Sequence, residues 1–80
     1  MMRQSEVIKL TGATRDELRY FERKGYIQPE LMHLKQRIVK NYSEQEARLI
    51  GLIVKYRRER FELGAAYDKA LEELARPRLV

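Results

Sequence analysis

The 80-residue chain contains no cysteine and no tryptophan, one histidine, two prolines and four glycines. Without cysteine there is no disulfide staple, thiolate metal site or cysteine nucleophile. A lone His33 cannot by itself assemble a histidine metal site or a Ser/His/Asp triad, and it reads as a surface residue. No apolar run approaches the ~20 residues that span a bilayer, and the amino end lacks the ~7–15-residue apolar stretch of a signal peptide. These absences point to a soluble, cytoplasmic, non-enzymatic domain needing no cofactor. The length allows one domain, residues 1–80, with a small core.

Charge is abundant. Seventeen basic and twelve acidic side chains give a formal net charge of +5. The excess is uneven: residues 1–40 carry nine basic and five acidic side chains, residues 41–80 eight and seven. A basic half on a globular domain suits a polyanion, nucleic acid before membrane. Ordinary solubilising charge is the competing explanation.

The sparse punctuation divides the chain. Val7, Ile8 and Leu10 are the apolar positions of a first helix over Ser5–Leu10, broken at Thr11-Gly12-Ala13. Thr14 with Glu17 forms a Thr-x-x-Glu capping box that opens a second helix. At about 100° per residue, Leu18 and Phe21 share one face, and Asp16, Arg19, Tyr20 and Arg23 fall opposite. Gly25 stands where a C′ residue ends that helix. A short helix, a glycine turn and a capped second helix define a helix-turn-helix over about residues 5–25.

Pro29 and the β-branched Ile38-Val39 change the pattern over about residues 28–42. Two strands, Glu30–Leu34 and Arg37–Lys40, with a turn near Lys35-Gln36, are the preferred reading. Leu31, Leu34 and Ile38 also fit a helical stripe, so a short helix over residues 30–40 stays open. Ser43 and Glu46 form a second capping box, starting a third helix to about Arg60 with Ala47, Ile50, Ile53 or Val54, and the Arg57 stem on its core side. Leu63, Tyr67, Ala70, Leu71 and Leu74 make one stripe of a fourth helix, ended by Pro77. The helix pair spans about residues 43–75. The fold class is mainly α: a winged helix-turn-helix with a small β-hairpin wing and two further helices.

An α-helix fits the B-DNA major groove, where arginine bonds guanine bidentately or clamps phosphate. Arg19 and Arg23 project together from the second helix, and Tyr20 offers a hydroxyl to phosphate. Asp16 and Glu17 oppose phosphate there; Glu17 is accounted for by the capping box and Asp16 by the helix dipole. The hairpin supplies His33, Lys35, Arg37 and Lys40, which either reach a phosphate backbone or keep an exposed edge from pairing. The run Lys55-Tyr56-Arg57-Arg58-Glu59-Arg60 wraps around its helix and reads as a solvated, dipole-favouring end.

The stretch Thr14–Pro29, with its Leu18-Arg19-Tyr20-Phe21-Glu22 core followed by Arg23-Lys24-Gly25-Tyr26-Ile27-Gln28-Pro29, resembles the signature of the MerR family of transcription regulators. Lys40-Asn41-Tyr42-Ser43-Glu44-Gln45-Glu46 is similar to the family's second mark, and Arg60-Phe61-Glu62-Leu63-Gly64 to its third. The resemblance covers about residues 4–75. It implies a recognition helix in the major groove, with a wing and helix pair on the flanking backbone. It matches Arg19 and Tyr20 to DNA-contacting positions and Lys40 to a wing arginine, with Glu22 and Tyr42 holding wing to helix. The candidate DNA-contacting set is Thr14, Arg15, Arg19, Tyr20, Arg23, Lys35, Arg37 and Lys40. The partner implied is double-stranded DNA at a promoter or operator, bound near-palindromically by a homodimer and presented to RNA polymerase, on the nucleoid of a bacterial cell.

Departures from the family pattern set what is carried over. Asp16 and Glu17 stand where many members have basic or hydroxyl residues, and Phe21 replaces a common tyrosine. The chain stops at Val80, before the long helix that pairs most members. An isolated DNA-binding module without an effector domain is therefore expected, and no inducer, drug or metal is carried over. The rival is a protein-interaction or architectural helix-turn-helix, as in excisionase-like recombination directionality factors or antirepressor partners.

Overall fold

A computed structural model describes residues 1–76, and its elements begin where a neighbouring group can cap them. Strand β1 (Met2–Arg3) leads into helix α1 (Gln4–Thr11), followed by helix α2 (Arg15–Arg23). Strands β2 (Glu30–Leu34) and β3 (Arg37–Tyr42) form the wing, and helices α3 (Glu44–Arg58) and α4 (Leu63–Ala75) complete the described chain. The hairpin reading of residues 30–40 is the one observed.

Three starts are capped by carboxylates that reach back three residues. Glu6 accepts from the Arg3 amide at 3.1 Å; Arg3 has no acceptor to return the bond, so this is half a box. Glu17 accepts from the Thr14 amide at 2.9 Å while the Thr14 hydroxyl accepts from the Glu17 amide at 3.0 Å. Ser43 and Glu46 repeat the reciprocal arrangement at the start of α3. Helix ends are equally specified. Gly25, at φ +79°, closes α2 as its amide donates to Glu22 O and the Tyr26 amide to Phe21 O, each at 3.0 Å. That pair of hydrogen bonds is a Schellman motif, which satisfies carbonyls the helix leaves orphaned. Helix α3 ends by the same pair of bonds, Arg60 to Arg57 O and Phe61 to Tyr56 O. There the left-handed position is held by Arg60, at φ +73°.

The core is centred on α3. Ala47, Leu49, Ile50, Ile53 and Val54 are buried against Val7 of α1, Leu18 and Phe21 of α2, and Ala66 and Ala70 of α4. Both Ile53 and Val54 face inward, because α3 packs against α1 on one side and α4 on the other. Gly51 faces α1, where a Cβ would meet the Thr11 methyl at 3.7 Å, an ordinary van der Waals contact. Stacked rings of Tyr26 and Tyr67, 4.0 Å apart at 12°, fix the segment after α2 onto α4.

The sheet is antiparallel with order β1-β3-β2. Met2 pairs with Tyr42 and Arg3 with Asn41, while the hairpin runs from Glu30↔Asn41 to Leu34↔Arg37 around a Lys35-Gln36 turn. Three expectations change. Strand β3 extends to Tyr42, two residues further than read, because β1 pairs with its end. Arg57 is exposed rather than stem-buried, its guanidinium turning back to Phe61 O at 3.2 Å. Leu10 is 69% exposed, at the side of an open groove that Glu44, Ala47, Arg48 and Gly51 of α3 also line. Pro77, expected to end the last helix, lies outside the described residues; α4 runs to Ala75, followed by Arg76.

Candidate nucleic-acid interface

Helix α2 is sided as its sequence spacing requires. Leu18 and Phe21 are each 1% exposed, so the helix is fastened by one face and Arg15, Asp16, Arg19, Tyr20 and Arg23 stand in solvent. Arg15 and Arg19, one turn apart, look across a cleft of about 430 Å³ to the wing. Its lining is Arg3, Gln4 and Ser5 from the amino end, Arg15 and Arg19 from α2, and Arg37, Ile38, Val39 and Lys40 from β3. Five of these nine residues are cationic and none is acidic. Such concentrated like charge in a concave site focuses a positive potential on whatever enters.

The candidate residues divide into three groups. Arg15, Arg19, Arg37 and Lys40 meet in the cleft. Tyr20 and Arg23 sit outside it, together with Lys24. The Arg23 guanidinium and the Lys24 ammonium each lie 5.6 Å from the Tyr20 ring centroid, a cation–π arrangement that leaves Tyr20 42% exposed. Thr14 and Lys35 stand apart at the start of α2 and the tip of the hairpin. The Thr14 oxygen is spent on the Glu17 amide, leaving its O–H free to donate. Lys35 adopts φ +36° at the turn and is exposed there.

Lys40 is not a free cation. Its ammonium lies 2.7 Å from a Glu22 carboxylate oxygen, with both side chains about one-third exposed (34% and 33%). The wing is thereby tied to α2. Beneath it, Gln4 donates to the buried Tyr42 hydroxyl at 3.3 Å, and burial is the larger influence pushing that phenol above its ordinary value. Gln28 N donates to Glu46 at 2.8 Å, securing the entry to the wing on α3.

Two contributors escaped sequence reasoning. Arg3 enters the cleft from β1, a two-residue strand too short to show periodicity. Arg58 donates to the carbonyl of Gly12 at 2.9 Å, bracing the turn between α1 and α2 from a helix 46 positions away. No local signal announces so distant a bond. Among the described residues, no group of three or more His, Cys, Asp or Glu side chains is placed to hold a metal, and no helix is long and apolar enough to cross a membrane.

An exposed helix after a glycine turn, a hairpin wing and a supporting helix pair define a winged helix-turn-helix. Within that class, residues 2–73 match the sequence pattern of the MerR HTH family of regulatory proteins, and the chain belongs to that family of DNA-binding regulators. No curated protein is matched by this chain.

Proposed function

We propose that this chain binds double-stranded DNA sequence-specifically through α2 in the major groove and acts on transcription. The observation carrying the proposal is the cleft between α2 and the wing, where Arg15, Arg19, Arg37 and Lys40 converge with no acid in the lining. In this reading one phosphate strand enters the cleft, Arg19 and Arg23 reach groove edge or phosphate, and Tyr20 and Thr14 donate hydroxyl hydrogens to phosphate oxygens. Lys35 touches the backbone beyond the wing. Pairing of two copies on a near-palindromic site, engagement of RNA polymerase and residence on the nucleoid belong to the same proposal.

Selection of bound duplexes from a random pool, followed by fluorescence anisotropy, tests it. A defined motif is expected, with affinity falling steeply as salt rises, because each neutralised phosphate adds about 0.9 to the slope of log affinity against log salt. Arg19→Ala with Arg23→Ala should remove most of the binding; binding unchanged by both would overturn the placement of α2. A second reading rests on Asp16, an exposed carboxylate at the leading end of α2 that suits a basic protein surface. Equal competition by random duplexes would favour an architectural module, and absence of binding to any duplex would favour that protein-interaction reading.

A further inference from the structure

The cleft between α2 and the wing has walls from three parts of the chain: the amino end, α2 and β3. At about 430 Å³ it falls within the ~300–1,000 Å³ of clefts that hold small molecules. Its cations divide in two. Lys40 is held by Glu22. Among the described residues no carboxylate pairs with Arg3, Arg15, Arg19 or Arg37, and all four are exposed. Like charges gathered around one concavity repel each other until an anion enters. The same wall also carries an aliphatic group. Residues two apart on a strand share a face, so Ile38 lies on the face of Lys40, which turns toward Glu22 of α2. Ile38 lines the cleft and is 59% exposed. A phosphate oxygen gains nothing from such a surface, whereas the flat face of a base or the C–H side of a ribose does.

We infer that this cleft also takes a nucleoside polyphosphate, which competes there with DNA. The competition rests on the proposal that a phosphate strand of the duplex enters the cleft; the binding of the nucleotide does not. A nucleoside triphosphate carries about four negative charges near neutral pH, because its terminal phosphate is close to dianionic. Four guanidinium groups without a carboxylate partner match that charge, and each presents a planar fork of donors suited to phosphate oxygens. A duplex strand spreads its charge at one per ~3.4 Å of helix axis, so only part of it lies in the cleft. The polyphosphate places all of its charge there. Its nucleoside lies along Ile38 and covers aliphatic surface that the folded chain leaves in water. Because the same arginines serve both ligands, one excludes the other, and duplex affinity falls as the nucleotide concentration rises.

Calorimetric titration of the full chain tests binding, without divalent cations and at fixed ionic strength, using ATP, GTP, inorganic tripolyphosphate and adenosine. One nucleotide per chain is expected. Tripolyphosphate should bind more weakly because it lacks the nucleoside, and adenosine should not bind measurably. Arg3→Ala and Arg15→Ala should each weaken nucleotides and tripolyphosphate alike, by about tenfold. Ile38→Thr keeps the β-branched strand preference; it should weaken the nucleotides severalfold and leave tripolyphosphate unchanged. All three positions are exposed, so the fold should survive, which circular dichroism checks. In anisotropy with a labelled duplex at matched ionic strength, nucleotide at about ten times its dissociation constant should raise the apparent duplex dissociation constant about tenfold. Tripolyphosphate binding as tightly as ATP and GTP, with Ile38→Thr affecting none of them, would overturn the nucleoside assignment. No nucleotide binding, or binding unmoved by both arginine substitutions, would overturn the site. Nucleotide binding that leaves the duplex bound would overturn the competition. Absence of binding to any duplex, with nucleotide binding intact, would overturn the DNA reading and the competition, and leave the nucleotide site standing.

Discussion

Lys40 reaches from the wing to Glu22 of α2 and holds it at 2.7 Å. This pair joins two elements that the chain separates by 18 positions, and it ties the wing to α2 beside the cleft. The cation most naturally assigned to phosphate is thus partly neutralised by the protein, and it positions the wing.

That relationship predicts the outcome of Glu22→Gln. Both side chains are one-third exposed, so water and salt screen the pair and the stability loss should stay below about 1 kcal/mol. The freed Lys40 becomes available to phosphate. Affinity for random duplexes should rise, with a steeper salt dependence, and preference for a selected motif should fall because the wing is no longer held at a fixed distance from α2. Anisotropy titrations at several salt concentrations check this. Random-duplex affinity unchanged or weakened would show that Lys40 serves the wing alone.

A second prediction concerns backbone strain. Gly25 and Arg60 occupy equivalent left-handed positions at the ends of α2 and α3, at φ +79° and +73°. For a residue with a Cβ that conformation costs roughly 1–2 kcal/mol. Arg60→Gly should therefore stabilise the fold by about 0.5–1 kcal/mol, and Gly25→Ala should destabilise it by a similar amount. A Cβ at Gly25 would meet nothing within 4 Å, so the cost there is conformational alone. Thermal unfolding by circular dichroism should show a rise for the first and a fall for the second, each of a few degrees. A lower melting temperature for Arg60→Gly would mean that its side chain stabilises more than its backbone strains.

The elements most legible in the sequence were those whose physics is local. Thr14 with Glu17, Ser43 with Glu46, and Gly25 after α2 announce their caps within a few residues, and all three behave as their spacing implies. The hairpin was readable from Pro29 and Ile38-Val39 despite a turn without Asn-Gly. Features decided by distant partners were not readable. Strand β1 exists because Tyr42 and Asn41 offer it a free edge. Leu10 stays outside the core, at a groove whose opposite side is set by distant α3 residues, Glu44, Ala47, Arg48 and Gly51. The site followed the same division. Helical spacing gave the outward face of α2, while the presence of Arg3 in the cleft and the capture of Lys40 by Glu22 depend on how the wing folds back.

A third prediction follows from the α3–α4 contact. The Tyr56 hydroxyl donates to Glu73 at 2.6 Å, with Lys55 3.5 Å from the same oxygen. That hydrogen bond is the largest influence holding the Glu73 carboxyl below its ordinary value of 4.5 and the Tyr56 phenol above its ordinary 10.0. A carboxyl with a depressed folded-state pKa stabilises above its unfolded value, and that contribution disappears as pH falls through the folded value. A phenol with a raised folded-state pKa stabilises below its unfolded value, and that contribution disappears as pH rises through the folded value. Tyr56→Phe should thus flatten the stability profile at both ends, below about pH 4.5 and above about pH 10, and lower it between them. Urea unfolding across pH measures this; a profile parallel to the wild type at both extremes would rule out the bond as the source.

The last prediction separates bracing from binding at Arg58. Its guanidinium donates to the Gly12 carbonyl at 2.9 Å, so it belongs to the turn that orients α2, yet it also adds one cation to the end of α3. Arg58→Lys keeps the charge and loses the planar fork that directs several N–H groups at once; Arg58→Ala loses both. If bracing dominates, both variants weaken DNA affinity to a similar extent with the salt slope unchanged, and amide exchange of Gly12, Ala13 and Thr14 speeds up in both. If charge dominates, Arg58→Lys binds as the wild type does and only Arg58→Ala lowers the slope, by about 0.9. The observed bond favours the first pattern: the guanidinium already engaged with Gly12 has fewer free donors to offer a phosphate, and an α2 free to tilt on a loosened turn costs every contact along its length at once.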